Sequence, residues 1–388
     1  MTVVSCYFFA GDFLDVMHRF QRGEQQIYQT HNEVARLVRD LLEERHEVNL
    51  YSFVTAKATD DRPAKGLRVV NLGAANYSTP SLLKAAVEED RAECIIAHFP
   101  NQELLQSVVA SNRRAIAVLA NSYNKRGIKS LLERRKIVKL LNDDQFEFVS
   151  NHCLPATEHL AQIGVERSKL IAWDISHPFA PTSCEPKVLK ASSQFELVYV
   201  GSITEAKGVS DLIHAVSLLR RRNIEIHCAL AGLGDIEAMR ILSRKLGVAD
   251  SFSFFGLIGN DEVFRIMRSA DLVVVPSRTH YTEGFPLVMF EALSSRTPIV
   301  CSDHPMFRSV MIDGENASVF PAGNSAAFAA AIATTLSDPA LYARLSAAAP
   351  RTWKALEGPA DWRTMLRSWV NEGISSPWLR SHMLAPRL

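Results

Sequence analysis

The sequence predicts an α/β protein made of two doubly wound parallel-sheet domains. Three observations carry this reading. Short β-rich runs alternate with helical patterns, the alternation restarts after a proline-marked break, and 388 residues are too many for one ordinary core. Apolar residues make up 47% and charged residues 22%, the balance of a globular protein rather than of a disordered or membrane-embedded one. A formal net charge of +1 supplies no global field for nucleic acid, so nucleic acid is not an expected partner.

In the first half, strands are predicted at 3–9, 46–54, 67–72, 94–99, 115–120, 146–150 and 170–173. A helix is predicted over 23–45, with Val34, Leu37, Leu41 and Leu42 on one face. Such alternation implies parallel strands, right-handed crossovers and helices on both faces of the sheet. Prolines and small polar residues at 179–194 then read as a linker. Beyond it, strands are predicted at 195–201, 224–232, 251–256, 271–277, 297–302 and 317–320, with an Ala-rich helix after Asn324. The resulting division is an N-terminal domain at 1–178, the linker, a C-terminal domain at 195–356 and a tail at 357–388. The tail carries the helical stripe Trp362, Leu366 and Trp369, too apolar to leave in water, and is expected to pack back on the N-terminal domain.

The six cysteines are scattered without a C-x-x-C pair, which reads as reduced thiols in a cytosolic protein and offers no zinc spacing. The first residues, MTVVSCYFFAGDF, lack a basic segment ahead of their short apolar run, so a strand is expected there rather than a signal peptide. No stretch reaches the roughly 18 apolar residues of a membrane span. The expected location is therefore cytoplasmic.

The chemistry concentrates in PSRTHYTEGFPLVMFEALS at 276–294. A buried strand ends at a polar loop, and the loop delivers Glu283-Gly284-Phe285 to a helix expected to start at Pro286, with Leu287 in its first turn. Proline suits a first helical position, glycine lets backbone approach a ligand, and the free N–H groups of a helix start favour anions. Glu291 lies among apolar helix residues, where a carboxylate needs hydrogen-bond donors to offset desolvation. Ribose hydroxyls, neighbouring backbone or a buried arginine could each supply them. A second segment, VGSITEAKGVSDLIHA at 200–215, ends a strand at Gly201 and places Lys207 at that strand's carboxyl end, suited to neutralising a diphosphate or to an exposed helix start. A third, LAGLGDIEAMR at 230–240, partially matches a dinucleotide fingerprint, with Glu237 at the final small position.

Together these segments resemble glycosyltransferase family 4, whose members are retaining enzymes of the GT-B fold: two Rossmann-like domains facing a central cleft. The resemblance runs continuously over 196–345. EGFPLVMFEAL matches the family's E-x7-E pattern at Glu283 and Glu291, and the strand–loop–helix at 200–215 resembles the family's donor-phosphate segment. The resemblance implies that Glu283 contacts hydroxyls of the transferred sugar and Lys207 the donor diphosphate, these two being the catalytic residues. It further implies that Glu291 holds the nucleotide ribose, with Gly201, Ser202, Leu257, Ile258, Gly284, Phe285, Pro286 and Leu287 lining the donor. Ser202 stands where the family usually has an arginine. On the acceptor side the family's pattern points to Gly23, His98 and Asn121, where asparagine replaces a frequent histidine. No metal or other cofactor is expected beyond the nucleotide-sugar co-substrate; the acceptor would be a glycan, a lipid-linked sugar or a small molecule, as in cell-surface polysaccharide assembly. A catalytically weakened nucleotide-sugar-binding protein and a GT-B epimerase are the alternatives, and GLGDIEA leaves a dinucleotide oxidoreductase in view.

Residues 124–141 carry seven Lys and Arg against Glu133, interleaved with leucine, isoleucine and valine. A basic amphipathic helix of this kind either packs on its own domain with a solvated basic face or rests on an anionic membrane.

Overall fold

The computed structural model describes residues 1–24, 26, 29–74, 79–123, 127–283 and 286–385. Two compact units emerge: Met1–Ser176 with Gly358–Leu388, and His177–Glu357.

Among the described residues the first unit holds nine strands: β1 (Val3–Ala10), β2 (Glu47–Val54), β3 (Ala58–Ala64), β4 (Leu67–Ala74), β5 (Cys94–Ala97), β6 (Arg114–Leu119), β7 (Phe146–His152), β8 (Leu170–Asp174) and, from the C-terminal segment, β15 (Ala360–Asp361). Their order is β15-β8-β7-β6-β5-β1-β2-β4-β3. All pairings are parallel except β3 against β4. The central strands are buried along most of their length and read as continuous apolar runs, as sheets covered on both faces require. Strand β3, ATDDRPA, is polar and proline-bearing, tolerable only at an edge, and no apolar alternation marks it in the sequence.

The helix expected over 23–45 is shorter and has a separate neighbour. A helix at Phe13–Gln21 is capped by Asp12, whose side chain accepts from the Leu14 and Asp15 amides. Gly23 then takes φ +70°, which ends the turn, and the next helix spans Gln29–Glu43. Val34, Leu37 and Leu41 are buried as its periodicity predicts, with Leu42 only partly covered.

In the C-terminal segment, the helix Trp362–Glu372 buries Trp362, Leu366 and Trp369 within the first unit. The Trp369 indole donates to Glu147 at 2.7 Å, and the Arg114 guanidinium lies 5.2 Å from its ring. Among the described residues no helix is long and apolar enough to cross a membrane.

Among the described residues the second unit holds six parallel strands: β9 (Phe195–Val200), β10 (Ile226–Ala231), β11 (Phe252–Gly256), β12 (Leu272–Val275), β13 (Ile299–Ser302) and β14 (Ser318–Phe320), in the order β11-β10-β9-β12-β13-β14. Chain order runs outward from β9 in both directions, so connections leave β9 and β12 toward opposite edges. The point where the strand order reverses, at the carboxyl ends of these two strands, is where ligands of such sheets bind. Residues 179–194 lie within this unit, where the Lys187 ammonium donates to the carbonyls of Arg268 and Ala270.

Candidate active site in the C-terminal unit

Two loops meet at the β9/β12 crevice. After β9 the chain runs through Gly201 to Lys207, and Gly208 at φ +77° stands at the start of the helix Val209–Arg220. A β-carbon at Gly208 would sit 2.0 Å from the Pro276 carbonyl oxygen, so the loop after β12 passes in direct contact with it. The Arg278 amide donates to the Ala206 carbonyl at 3.0 Å and stitches the two loops together.

This approach brings Lys207 onto Glu283. The Lys207 ammonium lies 2.9 and 2.7 Å from the two carboxylate oxygens, and the Ser277 hydroxyl donates to the same carboxylate at 2.8 Å. The Tyr281 ring centroid is 4.7 Å from Lys207 Nζ, a cation–π distance. Glu283 is 6% exposed, so its charge is stable there only because it is paired and hydrogen-bonded. The sequence placed both residues at strand ends but did not predict that they partner each other. Ser277 and Tyr281 were also missed, although both sit in the polar loop just past a buried strand, where ligands of such sheets gather.

Other candidates distribute as follows. The Ser202 side chain is exposed and its carbonyl accepts from the Tyr199 hydroxyl at 2.7 Å. The Arg278 guanidinium is held by protein carboxylates, bidentately by Asp211 at 2.8 and 2.9 Å and by Glu205 at 2.6 Å. Leu257 and Ile258 follow β11 on the same carboxyl edge of the sheet, two strands from β9, with Leu257 solvent-exposed. Gly284 and Phe285 lie outside the described residues. Pro286 corrects one expectation: with ψ 134° it is extended and serves as the cap, so Leu287 is the first residue of the helix Leu287–Ser295.

Within that helix Met289, Phe290, Ala292 and Leu293 are buried. The Glu291 carboxyl is pushed up to about 7, mainly by burial and against the opposing influence of His177, whose ring stacks on Phe290 at 4.5 Å. The glycines of GLGD have a local explanation. A β-carbon at Gly232 would lie 1.9 Å from the Gly201 carbonyl oxygen, and one at Gly234 would lie 2.3 Å from that of Ile203. Close loop packing therefore accounts for them without a dinucleotide.

The three acceptor-side candidates belong to the first unit. His98, at the carboxyl end of β5, stacks on Phe8 at 4.2 Å and lies 5.8 Å from Trp362. Burial pushes its imidazole down to about 3, and its Nε2 finds no hydrogen-bond partner among the described residues. The Asn121 backbone is held at both its amide and its carbonyl by the Asn151 side chain, at 3.2 and 3.0 Å. Gly23 is exposed with open space where a β-carbon would point. The structure brings Lys207 and Glu283 together, and it places His98 and Asn121 just past the carboxyl ends of the paired strands β5 and β6.

Residues 184–352 match the family model described as glycosyl transferases group 1. The C-terminal unit is a group 1 glycosyl transferase domain. Glycogen synthase of Mycobacterium tuberculosis is 34% identical to the chain over 171 residues, which are 44% of this chain and 40% of that protein. A phosphatidyl-myo-inositol mannosyltransferase of Mycobacterium leprae is 33% identical over 153 residues, 39% and 40% of the two chains. The chain thus spans about 40% of the length of these curated relatives. Among solved structures, sucrose-phosphate synthase from Thermosynechococcus elongatus superposes with a TM-score of 0.67 at 17% identity, over 96% of this chain and 98% of that one. Anabaena HepE in complex with UDP and glucose gives 0.64 at 15% identity, over 97% and 100%. At such identities the likeness establishes the fold, the GT-B architecture of two parallel-sheet domains. Lys207, Glu283 and Glu291 all lie within the matched residues 184–352.

Proposed function

We propose that the chain is a retaining glycosyltransferase that moves a sugar from a nucleotide-sugar donor to a glycan, glycolipid or small-molecule acceptor, in the assembly of cell-surface polysaccharide. The observation that carries this is the buried Lys207–Glu283 pair at the switch point of the group 1 transferase domain. The Lys207 ammonium balances the donor diphosphate and the charge that grows on it as it leaves. Glu283 accepts hydrogen bonds from sugar hydroxyls and fixes the ring. The acceptor hydroxyl attacks the anomeric carbon on the face that the leaving phosphate vacates. The carbon–phosphate-oxygen bond breaks, and the acceptor proton passes to a phosphate oxygen. A glycoside and a nucleoside diphosphate result, without a protein nucleophile. A panel of UDP-, GDP- and ADP-sugars tests this reading by thermal shift. At least one donor is expected to raise the melting temperature by several degrees, and a flat response to all three contradicts the proposal.

Glu291 is assigned to the ribose hydroxyls, which donate to its ionised form. Ligand-free, its raised carboxyl contributes stability that is present below about pH 4.5 and lost as pH rises through about 7. Binding that requires the carboxylate strengthens over the same window. Affinity for a nucleotide sugar, whose diphosphate has no proton to lose near neutrality, is expected to rise about tenfold from pH 6 to pH 8. Calorimetric titration checks this, with Glu291→Gln expected to give a flat profile.

The helix Ile128–Leu141 supplies a peripheral membrane contact in the same proposal. Ile128 and Leu132 are 80% and 51% exposed, beside exposed Lys129, Arg135, Lys136 and Lys139, while Ile137 and Leu141 are buried. The positions at 124–126 lie outside the described residues. Flotation with anionic vesicles is expected to exceed flotation with neutral ones, and equal flotation rejects the contact.

A further inference from the structure

The loop from Ser277 to Glu283 carries the Glu283 carboxylate and the Tyr281 ring to Lys207, and its own backbone is held from one side by the end of β13. The Ser302 hydroxyl donates to the Ser277 carbonyl at 2.6 Å. Two residues on, His304 Nε2 lies 3.1 Å from the Tyr281 carbonyl oxygen. The other ring nitrogen, Nδ1, is 3.2 Å from the Met306 amide. A carbonyl can only accept and an amide can only donate, so these two contacts together require one neutral tautomer, protonated on Nε2. His304 is 0% exposed and Ser302 equally buried, with the His304 ring packed against Phe307 at 4.9 Å.

We propose that Ser302 and His304 are positioning residues, which grip the loop at its Ser277 and Tyr281 carbonyls and thereby set where Glu283 and Tyr281 meet Lys207. The inference rests on the transferase reading for its consequence in turnover, but the grip itself does not depend on it. Burying a hydroxyl and an imidazole at the end of an apolar strand costs desolvation, which is offset only by good hydrogen bonds. Both bonds go to the one loop that carries the site, at its first residue and at the residue two before Glu283. Between them the loop presents Ser277 Oγ to Glu283 and the Tyr281 ring to Lys207. From the opposite side it is fixed by the Arg278 amide on Ala206. Held on two sides, the carboxylate stays in register with the ammonium before any ligand arrives, and preorganisation of this kind governs turnover more than binding.

The test uses the full chain and begins without ligand. Amide hydrogen exchange over 278–283 is compared in the wild type, His304→Ala, His304→Gln and Ser302→Ala, each first shown by thermal unfolding to be folded. Gln keeps an N–H near the Nε2 position and loses only the acceptor at Nδ1. Exchange is expected to be at least about tenfold faster in His304→Ala and Ser302→Ala and close to wild type in His304→Gln. Wild-type exchange in both alanine variants, or Gln as fast as Ala, overturns the grip. Turnover of the donor that gives the largest thermal shift then reads the consequence. A kcat about tenfold lower or more in His304→Ala with KM within about threefold, restored by Gln, supports positioning. An equal loss in KM, or no loss in kcat, overturns it. A wild type that turns over no donor defeats the transferase reading, while the exchange result still decides whether the loop is held.

Discussion

Glu283→Gln is expected to separate binding from turnover. The substitution keeps shape and removes the negative charge that now occupies Lys207 at 2.7 and 2.9 Å. With the ammonium released, a nucleoside diphosphate competes with no carboxylate, so its affinity stays equal or tightens severalfold. Turnover moves the other way. The amide is a weaker acceptor for sugar hydroxyls and cannot stabilise positive charge at the anomeric carbon, so kcat falls by about 10²–10³, the range seen when one preorganised electrostatic contact is removed. Fold stability changes less, by about 1–2 kcal/mol, because Gln retains an oxygen for Lys207 and Ser277 and the Tyr281 ring still faces the ammonium. Titration with the nucleoside diphosphate beside initial rates checks the separation. If affinity and kcat fall together, the carboxylate serves mainly to hold the site's structure.

Lys207→Ala carries the opposite signature and a larger structural cost. It strips the buried Glu283 carboxylate of its cation and, among the described residues, leaves it only the Ser277 hydroxyl. Removing one partner of a buried pair typically costs 3–5 kcal/mol, and about 3 is expected here because one hydrogen bond survives. Nucleotide affinity is expected to fall about 10–100-fold, the loss of one charge-assisted contact of about 1.5–3 kcal/mol, and kcat is expected to fall further. The double variant Lys207→Ala with Glu283→Gln removes both charges together. It is expected to recover much of the stability lost in Lys207→Ala and none of the turnover. Chemical denaturation and rate measurements on the same four proteins close this double-mutant cycle.

The fold was legible because its signals are local. VVSCYFF, CIIA and LVVV announce buried strands, and the Trp362/Leu366/Trp369 stripe announces a helix that must be covered. Strand β3 escaped because an edge strand needs no apolar face. The helix Phe13–Gln21 escaped because its Asp12 cap follows the apolar run of β1 almost directly, where an aspartate suits a loop as well as a helix start. In the site, Lys207 and Glu283 were each visible from strand–loop–helix spacing and from the family resemblance. Their pairing was not, because it depends on how near two loops 76 positions apart can pass. Gly208 decides that distance, and a sequence shows the glycine without the carbonyl it makes room for. Ser302 and His304 were illegible for the same reason. What they hold is backbone, and a backbone partner leaves no residue type behind to read.

The most direct measurement is a crystal structure with the nucleoside diphosphate of the donor that gives the largest thermal shift. The account predicts its diphosphate in the β9/β12 crevice, with Lys207 Nζ about 3 Å from a phosphate oxygen and the ribose hydroxyls on Glu291. A nucleotide bound elsewhere, with Lys207 and Glu283 still closed on each other and free of ligand, contradicts it.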